Sequence, residues 1–289
     1  MIYKKMNKMA LNSILILMRP INSIMVGSAV IVGIGVASPS LIFSIYSLLG
    51  FLTGFFISSF SMVVNDYYDI EVDKVNRPDR PLPSGSVSKN SAMILALILL
   101  SIGIASSILI SLSNFVIASV FAFLAWFYNF WGKKRGFIGN IIVATSIAIP
   151  YVYGGMAVGN VDEPLLLWLA LTSFLAGTGR EVIKTISDVA GDELRGIKSI
   201  ARIHGSRFAS ILGAIMFFMA IVSSWLPFIT GIVGIVYAIL ILIPNLIFIY
   251  ASVRILKNPS ETNALHVKSI ALLGMLLGLI AFLIGGIIH

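Results

Sequence analysis

LIFSIYSLLGFLTGFFISSFSMVVNDYYDIEVD, residues 41–73, is an apolar run that ends in acid. Its apolar part is long enough to cross a bilayer as a helix. Its end places four carboxylates, Asp66, Asp69, Glu71 and Asp73, within the nine residues from Asn65 to Asp73. A carboxylate at the centre of a membrane helix costs about 2.5–3.5 kcal/mol on insertion scales, so four would cost on the order of 10 kcal/mol. The acids are therefore expected at the membrane edge or facing a polar cavity. On a continuous helix Asn65, Asp69 and Asp73 fall at i, i+4 and i+8 and share one face, with Asp66 at its border. Asp188-Val-Ala-Gly-Asp192 repeats the i, i+4 carboxylate spacing far along the chain. Two such pairs facing each other would hold a hard divalent cation through oxygen ligands.

Composition agrees with a membrane reading. The 289 residues are 58% hydrophobic and only 11% charged, and mean hydropathy is +1.01. A soluble domain carries about 25% charged residues. Cysteine is absent, which excludes disulfides, thiolate metal sites and haem attachment. The net charge of +8 is read as orientation and anionic lipids or ligands, with no nucleic-acid partner. Lys4, Lys5 and Lys8 resemble the basic start of a signal peptide. The apolar run that follows is too long for one and contains Arg19 and Asn22, so a first transmembrane helix is expected.

Nine spans are expected, at about 12–37, 41–65, 91–112, 114–131, 137–159, 164–187, 207–227, 229–253 and 266–288. The twenty Lys and Arg residues all fall at the N-terminal end, in alternate connections or at the span ends that flank those connections, and the remaining connections carry none. The positive-inside rule then puts the N-terminus in the cytoplasm and the C-terminus outside. Two cytoplasmic loops are long, 66–90 and 188–206, and both begin with the acidic clusters. The first continues Asn76-Arg77-Pro78-Asp79-Arg80-Pro81-Leu82-Pro83-Ser84-Gly85, whose prolines and glycine favour turns over helix.

Acids interleaved with bases point to Mg²⁺ held by a few carboxylates and by substrate phosphate oxygens. Arg77, Arg80, Lys133, Lys134, Lys184, Lys198 and Arg202 are the expected cations of a polyphosphate site. Arg180 and Lys184 share a helix face with Asp188. Arg19-Pro20-Ile21-Asn22 interrupts the first span; Pro20 predicts a kink, and Arg19 with Asn22 predicts a polar cavity. Tyr67, Tyr68, Trp126, Tyr128 and Trp131 lie at cytoplasmic helix ends, as an aromatic belt or as faces that stabilise a carbocation. His204, among loop glycines, is read as structural.

These residues carry a resemblance. Asn65-Asp66-x-x-Asp69-x-x-x-Asp73 followed by Asn76-Arg77-Pro78-x-Arg80-Pro81-x-Pro83-Ser84-Gly85 resembles the first signature of the UbiA superfamily of intramembrane prenyltransferases. Arg180-Glu181-x-x-Lys184-x-x-x-Asp188-x-x-Gly191-Asp192, with Gly196 and Gly205, resembles the second. Arg19-Pro20-x-Asn22 and Tyr128 ahead of Lys133 also match common positions. The resemblance covers the whole chain as one domain, residues 1–289. It implies an all-α polytopic fold of nine transmembrane helices around a central cavity, with cytoplasmic cap loops. It implies metal and diphosphate ligands at Asn65, Asp69, Asp188 and Asp192, with Asp66 and Asp73 as further acids and general-base candidates. Many members have a second Asp directly after the lysine of the second motif, where this chain has Thr185.

The resemblance is greatest to archaeal members that move a geranylgeranyl group from geranylgeranyl diphosphate to the hydroxyl of geranylgeranylglyceryl phosphate. That implies a prenyl diphosphate donor and a lipid phosphate acceptor. Arg19, Arg180 and Lys184 are the expected partners of the acceptor phosphate, and Gly27, Gly33 and Gly35 are expected to leave room for two prenyl chains. An aromatic acceptor is the alternative within the superfamily. A transporter would need polar groups reachable from both faces, and the only outer acids are Asp162 and Glu163. The Asp-Gly-x-x-Ala-Arg signature of CDP-alcohol phosphotransferases is absent.

Overall fold

Helices account for every regular element in the computed structural model, which describes residues 12–194 and 196–288. They are α1 (Pro20–Ala37), α2 (Ile45–Tyr68), α3 (Ile70–Asn76), α4 (Lys89–Ile108), α5 (Leu112–Phe130), α6 (Phe137–Ala157), α7 (Pro164–Leu194), α8 (Ile200–Ile229), α9 (Ile235–Lys257) and α10 (Glu261–Ile287). All except α3 are long and apolar enough to cross a membrane, which makes nine among the described residues. The chain is a multi-pass membrane protein. The expected spans all appear, with shifted ends. Residues 12–18 are also helical, and the chain breaks at Arg19, whose φ is 46°. Pro20 causes the break: it disfavours the α conformation in the residue before it and then starts α1, where its missing N–H costs nothing.

The largest departure from expectation is α7. It was expected to end near 187 but runs to Leu194, and α8 starts at Ile200 rather than 207. The presumed loop 188–206 shrinks to a few residues. No proline interrupts 165–194, so the helix runs on to Leu194, shortly before Gly196 at φ 64°. There the Gly196 N–H donates to the Glu193 carbonyl at 3.1 Å and the Ile197 N–H to the Asp192 carbonyl at 2.8 Å. This pair of bonds is a Schellman stop, with glycine in the left-handed position. At about 1.5 Å per residue, α7 is longer than the roughly 30 Å hydrocarbon core. Its acidic last turns can thus stand outside the hydrocarbon.

The chain forms two compact units. One comprises the chain through Ile31 together with Ser44–Phe130; the other comprises Val32–Phe43 and the chain from Trp131 onward. In the first, α2 is the central helix and packs on α4 and α5. Its core gathers Leu17, Phe60, Val63, Val64 and Ile70 with Leu82 from the Pro-rich loop. In the second, α7 is central and packs on α6, α8 and α10, with α9 against α8 and α10. Its core includes Val182, Ile183, Phe217, Phe248 and Ile255. Each acidic cluster therefore sits at the end of the central helix of its unit.

Glycines set the helix spacing, which corrects their expected role. A Cβ on Gly27 would lie 2.7 Å from the Phe51 ring, and one on Gly35 would lie 2.9 Å from Ile42 and Leu283. A Cβ on Gly33 would lie 2.3 Å from the Tyr151 carbonyl oxygen. These residues close helix–helix contacts of the small-residue kind found in membranes; they do not leave space for prenyl chains. Gly33→Ala is expected to lower stability by about 1–3 kcal/mol, the usual cost of overpacking. A melting temperature in detergent equal to that of the unmodified protein would contradict the contact.

Candidate functional site

The first acidic stretch divides into two pairs. Asp69 ends α2 and begins α3, with φ −90° and ψ 2°. Its N–H donates to the Asn65 carbonyl at 3.0 Å, and the Asp73 N–H donates to the Asp69 carbonyl at 2.8 Å, so helical spacing continues through the bend. Asp66 and Asp73 lie two turns apart and are both 3% exposed. Arg80 Nη1 donates to Asp73 Oδ2 at 2.7 Å and to Asp66 Oδ1 at 3.3 Å. Arg19 Nη2 donates to the same Asp66 oxygen at 2.5 Å. Asn65 and Asp69 form the second pair and are partly exposed. The expected face of Asn65, Asp69 and Asp73 is thus corrected: Asp73 joins Asp66 in a buried network. Both carboxylates are buried and engaged by guanidinium groups rather than open to a substrate hydroxyl, which weighs against Asp66 and Asp73 as general bases.

The loop after α3 folds back to deliver Arg80. Turn hydrogen bonds run from the Arg80 N–H to the Arg77 carbonyl, from Ser84 to Arg80 and from Val87 to Pro81. Leu82, 7% exposed, anchors the loop in the core of its unit. Glu71, the fourth acid, is exposed and takes Lys74 Nζ at 2.9 Å. That hydrogen bond, with the Lys74 charge behind it, holds its carboxyl below the usual range.

In the second unit, α7 carries Arg180, Glu181, Lys184, Asp188 and Asp192. Glu181, 6% exposed, takes Arg180 Nη1 at 2.5 Å and Lys184 Nζ at 3.1 Å. Arg180 Nε also donates to the Lys268 carbonyl of α10 at 3.3 Å. Asp188 accepts from Ser187 Oγ at 3.0 Å, and both Asp188 and Asp192 are partly exposed. The Schellman bond through the Asp192 carbonyl fixes the turn on which that side chain stands. Thr185 Oγ1 donates to the Val182 carbonyl and accepts from the Ala201 N–H at 3.3 Å. It thereby caps the first turn of α8, which its own N-cap, Ser199, leaves without a side-chain bond.

Of the remaining expected residues, Arg77, Lys134 and Lys198 are exposed and Tyr128 and Lys133 are partly buried. Arg202 Nη1 donates to the Ile197 carbonyl at 2.9 Å. Asn22 is exposed, which does not match a polar cavity beside Arg19. Arg19, Arg180 and Lys184, expected on an acceptor phosphate, each face a protein carboxylate instead. The site list drawn from the sequence omitted Glu181, although cations at i−1 and i+3 mark it as an ion-pair partner on one helix. Thr185 as a cap had no sequence signal, because its partner is on another helix.

Among the described residues, no three Asp, Glu or His side chains stand close enough to hold a metal ion unaided. The donors present are an amide and a carboxylate at Asn65 and Asp69, and two carboxylates at Asp188 and Asp192. All are oxygen ligands one helical turn apart and partly open. That set fits Mg²⁺, which binds through one or two carboxylates and completes its shell with water and phosphate oxygens.

The model of the UbiA prenyltransferase family matches residues 26–273. The chain is 37% identical over 279 residues to a digeranylgeranylglyceryl phosphate synthase of Thermococcus sibiricus, covering 96% of this chain and 99% of the relative. It is 35% identical over 280 residues to the synthase of that name from Methanocaldococcus jannaschii, covering 96% and 97%. A solved structure described as "Structural and mechanistic insights into the biosynthesis of Digeranylgeranylglyceryl phosphate synthase in membranes" is similar at TM-score 0.83 and 34% identity, covering 96% and 99%. A UbiA homolog from Archaeoglobus fulgidus bound to GPP and Mg²⁺ shares the fold at TM-score 0.63 and 16% identity, covering 93% and 99%.

Proposed function

Because the chain belongs to the UbiA prenyltransferase family, we propose that it transfers a geranylgeranyl group from geranylgeranyl diphosphate to the free hydroxyl of geranylgeranylglyceryl phosphate. The product carries the second ether bond of an archaeal membrane lipid. The observation that carries this reading is identity above 30%, over nearly the full length, to relatives named for that synthase activity. None of the relatives reported above favours an aromatic acceptor. The family match runs through both compact units, which supports one functional domain.

Asn65 and Asp69 from α2, with Asp188 and Asp192 from α7, would hold Mg²⁺ together with the donor diphosphate. Bound there, the ion would neutralise charge on the diphosphate leaving group as the allylic C–O bond breaks. Arg77 and Lys133 add cationic hydrogen-bond donors for the same oxygens. Asp66 and Asp73 hold Arg80, and through it the loop 77–88, in place against α2 and α3. Glu181 does the same for Arg180 and Lys184 at the other motif. Tyr67 and Tyr68, edge to face with ring centroids 5.8 Å apart at the end of α2, offer aromatic surface near the reacting carbon. The acceptor oxygen forms the new C–O bond, diphosphate departs, and the hydroxyl proton leaves to diphosphate or solvent.

Mass spectrometry of the purified protein's products tests the reaction. The lipid product should have the summed mass of the two substrates less diphosphoric acid, with one diphosphate released per turnover. A prenylated hydroxybenzoate formed at a comparable rate would overturn the acceptor assignment.

The alternation of basic connections supports the proposed orientation, with the N-terminus and the loops following α3 and α7 facing the cytoplasm and the C-terminus outside. Single cysteines at Ser84 and Asp162 are expected to react with impermeant maleimide from opposite faces of inverted and right-side-out vesicles. Reaction from one face would refute the nine-span orientation.

A further inference from the structure

The proposed reaction brings together two phosphate-bearing lipids with different needs. The donor diphosphate takes a metal and therefore acids. A phosphate monoester is held well by charge-assisted hydrogen bonds from cations, most strongly where no carboxylate competes for them. The cations first expected on it, Arg19, Arg180 and Lys184, are already paired with Asp66 and Glu181.

A cavity of about 530 Å³ in the second unit has the required character. Lys134, Arg135, Lys198 and His204 line it, and no Asp or Glu does. Among the described residues, neither Lys134 nor Lys198 has a carboxylate partner. Arg135 is held with its guanidinium carbon 4.3 Å above the Trp131 ring, so its orientation is set before any ligand arrives. Two long helices, α6 and α8, begin at its wall, and neither is capped by its own N-cap side chain. Their positive ends add to the field of Lys134, Arg135 and Lys198.

Close backbone contacts build the cavity. A Cβ on Gly136, at φ 56°, would sit 2.1 Å from the Lys198 carbonyl oxygen, so only glycine lets the two loops meet there. Between Lys198 and Ile200 on the wall, Ser199 is 3% exposed, and its hydroxyl has no hydrogen-bond partner. The wall also contains Gly196, which ends the helix carrying Asp188 and Asp192. The cavity and that acid pair are thus close in the chain, with Gly196 four residues after Asp192.

Resting on the function proposed above, we infer that this basic cavity binds the phosphate monoester of the lipid acceptor, with Lys134 and Lys198 as its specificity-determining contacts. The shared chemistry is a phosphate on a lipid, and the source could also be a bulk anionic headgroup.

Calorimetric titration of the full chain in detergent separates these cases. In EDTA, the unmodified protein should bind geranylgeranylglyceryl phosphate but not its dephosphorylated alcohol. Lys134→Ala with Lys198→Ala should weaken that binding by about 10- to 100-fold, the loss of two charge-assisted contacts. Binding of geranylgeranyl diphosphate with Mg²⁺ should change less than twofold. Lys134→Arg with Lys198→Arg should recover acceptor binding. Equal binding of the acceptor by the double alanine variant would overturn the inference, as would matched loss of donor binding. Competition by dioleoyl phosphatidic acid at the acceptor's own affinity would assign the cavity to bulk lipid and also overturn it. Loss of acceptor binding in the double alanine variant, where the unmodified protein makes no ether product, would uphold the cavity and refute the proposed reaction.

Discussion

Asp69→Ala and Asp192→Ala are each expected to lower turnover by at least about 10²–10³-fold, the range seen when one stabiliser of developing negative charge is removed. Each substitution deletes an anionic oxygen ligand that a hydrocarbon cannot replace for Mg²⁺. Both residues stand partly exposed on ordered helix ends, so the fold should survive. The Asp192 backbone contact to Ile197 does not involve its side chain and persists in the variant. The check is a steady-state assay beside a melting curve. Loss of rate with unchanged melting is the expected pattern; near-normal rate in either variant would remove that residue from the site.

Asp66→Ala is expected to act on stability first. It leaves Arg19 and Arg80 facing a hydrocarbon where both now share one carboxylate oxygen. Breaking a buried ion pair from one side costs about 3–5 kcal/mol. The side chains of Arg19 and Arg80 are 29% and 19% exposed, so water screens part of that loss and places the expected cost near the low end of the range. The visible consequence should be faster proteolysis within residues 77–88, because Arg80 ties that loop to α2 and α3. Replacing Arg19 and Asp66 together by Met and Leu should be less damaging than Asp66→Ala alone, since Arg19 is no longer stranded and Arg80 keeps Asp73. A fall in turnover with unchanged melting and proteolysis would instead assign Asp66 to the chemistry.

The sequence alone made much of this legible for a physical reason. Membrane helices satisfy their own backbone, so apolar length and the alternation of basic loops report spans directly. The break at Arg19-Pro20 followed from proline geometry. The carboxylate pairs were visible because helical spacing survives the bend at Asp69. What was hidden depends on contacts far apart in the chain. The pairing of Asp66 and Asp73 with Arg80 requires the turns of residues 77–87 and the burial of Leu82, which no periodicity reports. The extension of α7 to Leu194 was hidden by its charge, since the two acids and Gly191 within 188–192 read as the start of a loop. Gly27, Gly33 and Gly35 were ambiguous in sequence between empty space and close approach; Phe51, Tyr151, Ile42 and Leu283 decide for close approach. The pairing of Arg180 and Lys184 with Glu181 was within reach, because all three lie on one helix within five residues.

The central proposal is that Asn65 with Asp69 and Asp188 with Asp192, one pair at the end of each central helix, act as a single metal–diphosphate centre. A double-mutant cycle on Mg²⁺-dependent binding of a non-reactive thiolodiphosphate analogue of the donor tests it most directly. The unmodified protein, Asp69→Ala, Asp192→Ala and the double variant would be titrated with and without EDTA. One shared centre predicts that either single variant loses nearly all the metal-dependent affinity and that the double variant loses little more. Losses that multiply in the double variant, as for independent sites, would contradict the claim.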